Sequence, residues 1–114
     1  MAGLKLLIHI SDRDKWGSVL SLATRLMDNG KGNDCEIIII ADIFAGAVCI
    51  ACNKSLKQQM VDFVEAGHKI MVCEESIQCL NIPLKSLPDL VQTVPVGLSE
   101  IINRQKEGFQ YIKA

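Results

Sequence analysis

The sequence is poor in aromatic residues, with three Phe, one Trp and one Tyr in 114 positions. Single-stranded nucleic acids are held on platforms of stacked rings, and so few rings cannot build one. The sequence also lacks an excess of charge of either sign. Twelve basic and thirteen acidic residues are scattered along it for a net charge of -1, leaving no stripe able to neutralise a run of phosphates. Nucleic acid is therefore not expected as a partner. Long hydrophobic runs are missing as well. The opening MAGLKLLIHISDRDKW has an apolar run of about seven residues with no small-residue cleavage site after it, short for a signal peptide and far too short to span a bilayer. No membrane association is expected, and the protein reads as cytoplasmic.

Glycine is absent where a nucleotide would need it. The turn after the first apolar run reads HISDRDKWGS, with neither G-x-G-x-x-G nor G-x-x-x-x-G-K-[ST], so no backbone cradle for a pyrophosphate is encoded. No cofactor is expected, and Asp42 reads as a loop or cap residue instead of a ribose ligand. Five cysteines form an odd set, and two of them, Cys49 and Cys52, lie inside an apolar stretch; a disulfide framework is not expected in a reducing compartment. The CIAC spacing is that of a redox pair, but its flanks, IFAGAV and IA, carry no charge. Packing as small buried apolar residues is the expectation for that pair. A zinc site would need two more ligands, and His68 with Cys73 is the only local supply, so no metal is expected.

What is present is a regular alternation of strand and helix. A length of 114 residues, 49% of them hydrophobic, fits one domain with one core, spanning residues 1–114. LKLLIHI is a short β-branched run closed by SDRD, which predicts a buried strand over residues 4–10. Trp16, Val19, Leu20, Ala23, Leu26 and Met27 then share a helical stripe, with Asp12 or Asp14 placed to cap its first turn and the glycines of segment 28–34 placed to stop it. CEIIIIAD carries four consecutive isoleucines, expected of a central parallel strand covered on both faces. The segment IFAGAVCIAC after it reads as an apolar loop, and ten uncharged residues there must be covered by something, in part by a subunit contact. A helix over 55–67 follows, with Leu56, Met60, Phe63 and Val64 on one face and Gly67 as its stop. HKIMVC is the next strand, and residues 75–80 a short helix. Beyond the proline-marked loop come a strand within 91–97, a helix over 98–108 with Leu98, Ile101 and Ile102 inward, and a last strand over 109–113. This order predicts a three-layer α/β/α, Rossmann-like domain with a mostly parallel sheet of about five strands.

In such sheets functional groups gather at the carboxyl ends of the strands. That rule nominates Ser11 and Asp12 after the first strand, Asp42 after the second, Cys73, Glu75 and Ser76 after the third, and Pro95 and Gly97 after the fourth. His9 and His68 have no acid beside them in sequence, and a histidine in a strand is more often a structural residue than a base. Cys73 stands at a strand end just before a helix, where backbone N–H groups favour a thiolate. Glu74 and Glu75 would oppose that if they faced the sulfur. Composition and spacing leave two readings of Cys73 open, a working thiol and a small buried hydrophobe. Cys79, two helical turns further on, is not placed to pair with it.

The stretch IMVCEESIQCLNI, followed by VPVGLSEIINRQKEGFQYIKA, resembles the DsrE/DsrF-like family of small intracellular sulfur-metabolism proteins. The family has a strand ending in a cysteine with a short polar segment after it, then V-P-x-G-x-x-E-[IL], a polar helix and an aromatic-containing end. The opening IHISDRDKWGSVLSLATRLMD is similar to the family's first strand and tryptophan-bearing helix. The resemblance implies a Rossmann-like fold assembled as a homotrimer or as a hexamer built from trimers. It also implies that Cys73 matches the strand-end cysteine that carries a persulfide between sulfur donor and acceptor proteins, and that Ser76 matches the motif's hydroxyl position. Glu75 stands where the family commonly has asparagine, and a carboxylate accepts hydrogen bonds but does not donate them. The expected function is a sulfur relay, a possible sulfurtransferase. A non-catalytic oligomeric binding module with a structural Cys73 is the rival.

Overall fold

The computed structural model describes residues 3–29 and 35–114. In chain order its elements are β1 (Leu4–Ile10), α1 (Trp16–Asn29), β2 (Cys35–Ala41), α2 (Ile43–Val48), α3 (Lys54–Glu65), β3 (Lys69–Cys73), α4 (Glu74–Cys79), β4 (Gln92–Val94), α5 (Gly97–Lys106) and β5 (Gln110–Lys113), with single 3-10 turns at Arg13–Lys15 and Leu84–Ser86. The five strands form one sheet in the order β4-β3-β2-β1-β5. Every pairing is parallel. The α/β class, the parallel sheet and its five strands are as the alternation predicts.

Strand alternation sorts the side chains into two cores. Leu6, Ile8 and Ile10 of β1, Ile37, Ile39 and Ala41 of β2, and Ile70 and Val72 of β3 pack with Trp16, Leu20 and Ala23 of α1, Ala45 of α2, Met60 and Phe63 of α3, and Ile77 of α4. The opposite face carries Leu7, Ile38, Ile40, Met71 and Val94, closed by Ile101 of α5 and Phe109. The four isoleucines of β2 divide between the two and all are fully buried, which is why the run shows no polar alternation.

Four expectations change. The loop 43–52 contains α2, which the sequence hides because its outward positions are apolar too. Neither Asp12 nor Asp14 caps α1: a 3-10 turn precedes the helix, and the Asp12 side chain makes no capping bond to it. In α5 only Ile101 points inward, while Leu98 is 67% and Ile102 45% exposed. The fourth strand is only Gln92–Val94, since Pro95 has no N–H to extend the ladder. Gly67 ends α3 as expected, with φ +101° and its N–H bonded to the Val64 carbonyl. The expected stop of α1 at Gly30 and Gly32 lies outside the described residues.

Candidate functional site

The carboxyl ends of β1, β2 and β3 lie side by side. Ile10 is opposite Ala41 and Ala41 opposite Val72, so Asp42 and Cys73, one residue on, are neighbours in the same row. Alternation puts the Cys73 side chain on the face that α5 covers. Val94 of β4 is opposite Cys73, and the chain returns through the exposed Pro95 to open α5 at Gly97.

The Gly97 N–H donates to Cys73 Sγ at 3.4 Å. The bond requires close approach. A Cβ built on Gly97 would stand 3.5 Å from Cys73 Cβ and 3.7 Å from its Sγ. The sulfur therefore faces the unpaired N–H groups and positive dipole end of a ten-residue helix, a setting that favours an anion. Cys73 itself is 6% exposed.

On the same face, two strands away, stands a polar chain. His9 Nε2 is 2.7 Å from Asp42 Oδ2, and His9 Nδ1 is 2.8 Å from the Tyr111 hydroxyl. An ionised carboxylate only accepts, so Nε2 carries the hydrogen and Nδ1 accepts from the tyrosine. Asp42 Oδ1 is shut off from solvent with no hydrogen-bond partner among the described residues. Such an orphan acceptor costs about 1–3 kcal/mol. The next residue, Ile43, has φ +51°, a left-handed backbone that a β-branched side chain adopts only under constraint, at about 1–3 kcal/mol. Hydrogen bonds hold that turn in place. Asp42 N–H donates to the Ile10 carbonyl, Ala45 N–H to the Ser11 carbonyl, and Trp16 Nε1 to the Ala45 carbonyl at 2.9 Å. The single tryptophan thus anchors the segment that aims Asp42.

Of the other nominated residues, Ser11 accepts from Lys113 Nζ, beside Tyr111 on β5. Asp12 borders an open cleft of about 390 Å³ with Arg13, Asp14 and Phe44. Glu75 and Ser76 line a smaller cleft of about 130 Å³ with Ile43, Cys79 and Leu80. Cys73 lines neither. The nominated set therefore divides: Cys73 with Gly97 and Asp42 on the α5 face, and Asp12, Glu75 and Ser76 around α2 and α4. His9 has no acid beside it in sequence, and the structure supplies Asp42, the residue just past β2. The signal was the shared parity of His9 and Tyr111 along their strands, which has meaning only once β5 is known to pair with β1.

The C-x-x-C pair is poorly placed for redox work. Burial, and secondarily the neighbouring Cys52, push the Cys49 thiol up to about 12, so its nucleophilic thiolate is scarce. All five cysteines are free. Among the described residues no three His, Cys, Asp or Glu side chains are grouped as metal ligands, and no helix is long and apolar enough to cross a membrane.

Comparison with solved structures shows the same fold in several proteins. A protein of unknown function from Methanobacterium thermoautotrophicum, MTH1491, is similar with a TM-score of 0.85 at 19% identity, over 97% of this chain and 99% of that one. The ychN protein of E. coli is similar with a TM-score of 0.76 at 15% identity, over 97% and 99%. BT1422 of Bacteroides thetaiotaomicron, also of unknown function, gives 0.66 at 11% identity, over 95% and 94%. No curated protein matches the chain. The sequence model of the DsrE/DsrF-like family matches residues 7–114, a span that takes in His9, Asp42, Cys73, Gly97 and Tyr111, and the chain belongs to that family.

Proposed function

We propose that the protein is a sulfur carrier in which Cys73 accepts sulfane sulfur as a persulfide and passes it to a thiol of a partner protein. The observation that carries this reading is the contact between the Gly97 N–H and Cys73 Sγ at the start of α5, which supports an anionic sulfur there. In the loading step the Cys73 thiolate attacks the outer sulfur of a donor persulfide. A new S–S bond forms, the donor's own S–S bond breaks, and its electron pair leaves on the donor thiolate, which takes up the proton that Cys73 lost. No external oxidant or reductant is consumed. Delivery is the same exchange in reverse, with the acceptor thiolate attacking the sulfur carried on Cys73. Pro95, Gly97 and the turn after Asp42 shape the pocket. Free thiols throughout fit a cytoplasmic setting, with sulfur donor and acceptor proteins as transient partners.

Assembly as a homotrimer, or as a hexamer of trimers, belongs to the same reading. Leu98 and Phe44, 67% and 56% exposed, are large apolar side chains at the carboxyl edge that a second copy would cover. Light scattering that found a stable monomer would remove this part. A second reading, an oligomeric binding module with a structural cysteine, is favoured by the 6% exposure of Cys73. Intact-protein mass spectrometry after incubation with polysulfide separates them. A carrier gains sulfur that a reductant removes, and Cys73→Ser does not; equal uptake by both proteins, or none by either, leaves the binding module.

A further inference from the structure

We propose that the open edge of β5, with the cleft between β5 and α1, takes an extended segment of a partner protein as a sixth strand, one patterned acidic, any, apolar, any, acidic. The inference goes beyond the sulfur-carrier reading and does not depend on it.

β5 ends the sheet, and all four of its residues are exposed. The opposite edge is less usable, since β4 has three residues and stops at Pro95, which has no N–H. The Ala114 N–H donates to the His9 carbonyl. Backbone groups of residues 110, 112 and 114 therefore turn toward β1, and by strand alternation those of Tyr111 and Lys113 turn outward. Among the described residues no strand but β1 lies beside β5. The edge is also held in place before anything binds. The Tyr111 hydroxyl donates to His9 Nδ1 at 2.8 Å and Lys113 Nζ to Ser11 Oγ, both on the α5 face, and a preformed edge lowers the ordering cost of adding a strand.

On the other face Ile112 borders a cleft of about 350 Å³ with Ile8 of β1 and Val19 and Leu22 of α1. Leu22 and Ile112 are exposed, an apolar floor that an inward side chain of an added strand would cover. The charged side chains of the cleft are Lys15 and Arg25, both exposed and neither in an ion pair among the described residues. Ten residues apart at the start and along the length of one helix, they are separated by roughly 15 Å. Acids four residues apart on one face of an extended strand span about 13 Å and meet both cations. The residue midway between them points at Ile112 and Leu22 and is apolar. No two acidic residues in this chain stand four apart, so a second copy does not supply the segment, and it would bring only more basic groups to the cleft.

The test is fluorescence anisotropy of labelled nine-residue peptides titrated with the full chain. The native protein is expected to bind TTETVTETT about 10-fold more tightly than TTKTVTKTT, and Lys15→Glu combined with Arg25→Glu to reverse that order. N-methylation of alternate amides separates an added strand from a ligand merely seated in the cleft. One alternate set faces β5, and methylating it abolishes binding; methylating the other set leaves affinity within about 2-fold. No binding of the glutamate peptide up to about 1 mM, equal affinity for the two peptides, no reversal in the double variant, or equal loss from both methylated sets overturns the proposal. So does an oligomer of the native protein that Ile112→Asp disperses in sedimentation, which would give the edge to another copy of this chain. None of these outcomes bears on sulfur loading of Cys73, so the docking edge and the carrier fail separately.

Discussion

One face of the sheet is covered by four helices, and the side chains packed there are almost all aliphatic. Among the described residues the other is covered by α5 alone and holds a smaller apolar patch, with His9, Cys73, Tyr111 and Lys113 on the same side of their strands. Both faces arise from the same strands read in alternate registers. The difference lies in what encloses them. Four helices bury the central strands of the first face, from Leu6, Ile8 and Ile10 through Ile37 and Ile39 to Ile70 and Val72, while its edge strands keep the exposed Thr93 and Gln110. A single helix of ten residues closes only the middle of the second, leaving its carboxyl edge open to polar groups and to large exposed apolar ones such as Leu98.

Three truncations of one residue type measure this asymmetry. Ile39→Ala, at a fully buried site on the four-helix face, is expected to cost the most, about 4 kcal/mol, from lost transfer energy and a cavity that close packing cannot collapse. Ile101→Ala, 6% exposed beneath α5, is expected to cost about 2 kcal/mol, because one helix on one side can settle into the gap. Ile102→Ala, on the outer side of the same helix, should stay within about 0.5 kcal/mol. Urea denaturation reads all three. Equal losses at residues 39 and 101 would show that the two faces are equally tight. Next in size is an effect on association. Leu98→Asp is expected to shift the protein to monomers in light scattering while leaving monomer stability within about 0.5 kcal/mol; unchanged mass would place any subunit contact elsewhere.

Much of this architecture was legible in the sequence, because a parallel sheet with both faces covered writes itself as β-branched runs between helical stripes. Cys73, Gly97 and Asp42 followed from the strand-end rule. Residues 43–48 form a helix that the sequence does not signal, since a helix with no polar side has no period to detect. Leu98 and Ile102 are exposed where their spacing predicts an inward face, because apolar spacing marks a helix face without saying whether the chain itself or another copy covers it. The His9, Asp42 and Tyr111 chain was out of reach for a different reason. Its members are 33 and 102 residues from His9 along the chain, and only the strand order makes them neighbours.

The smallest effect concerns the other histidine, and it separates the two faces by pH. His68 packs against Phe63 on the four-helix face, with ring centroids 5.1 Å apart, and its Nδ1 accepts the Ile37 backbone N–H at 3.1 Å. A proton on Nδ1 would abolish that bond. Burial holds its pKa below the usual 6.5, with Glu36 acting weakly against the shift. The unfolded chain therefore binds this proton more readily than the folded one, so the contribution is intact above pH 6.5 and is lost as pH falls below it toward the depressed folded value. His68→Asn keeps an acceptor oxygen near the Nδ1 position but has no proton to gain. Stability curves for the two proteins are expected to run together above pH 7 and to separate below 6.5, the native falling faster. Curves that stay parallel down to pH 5 would mean that the histidine of the closed face is as free to charge as an exposed one, and that four helices seal it no better than one.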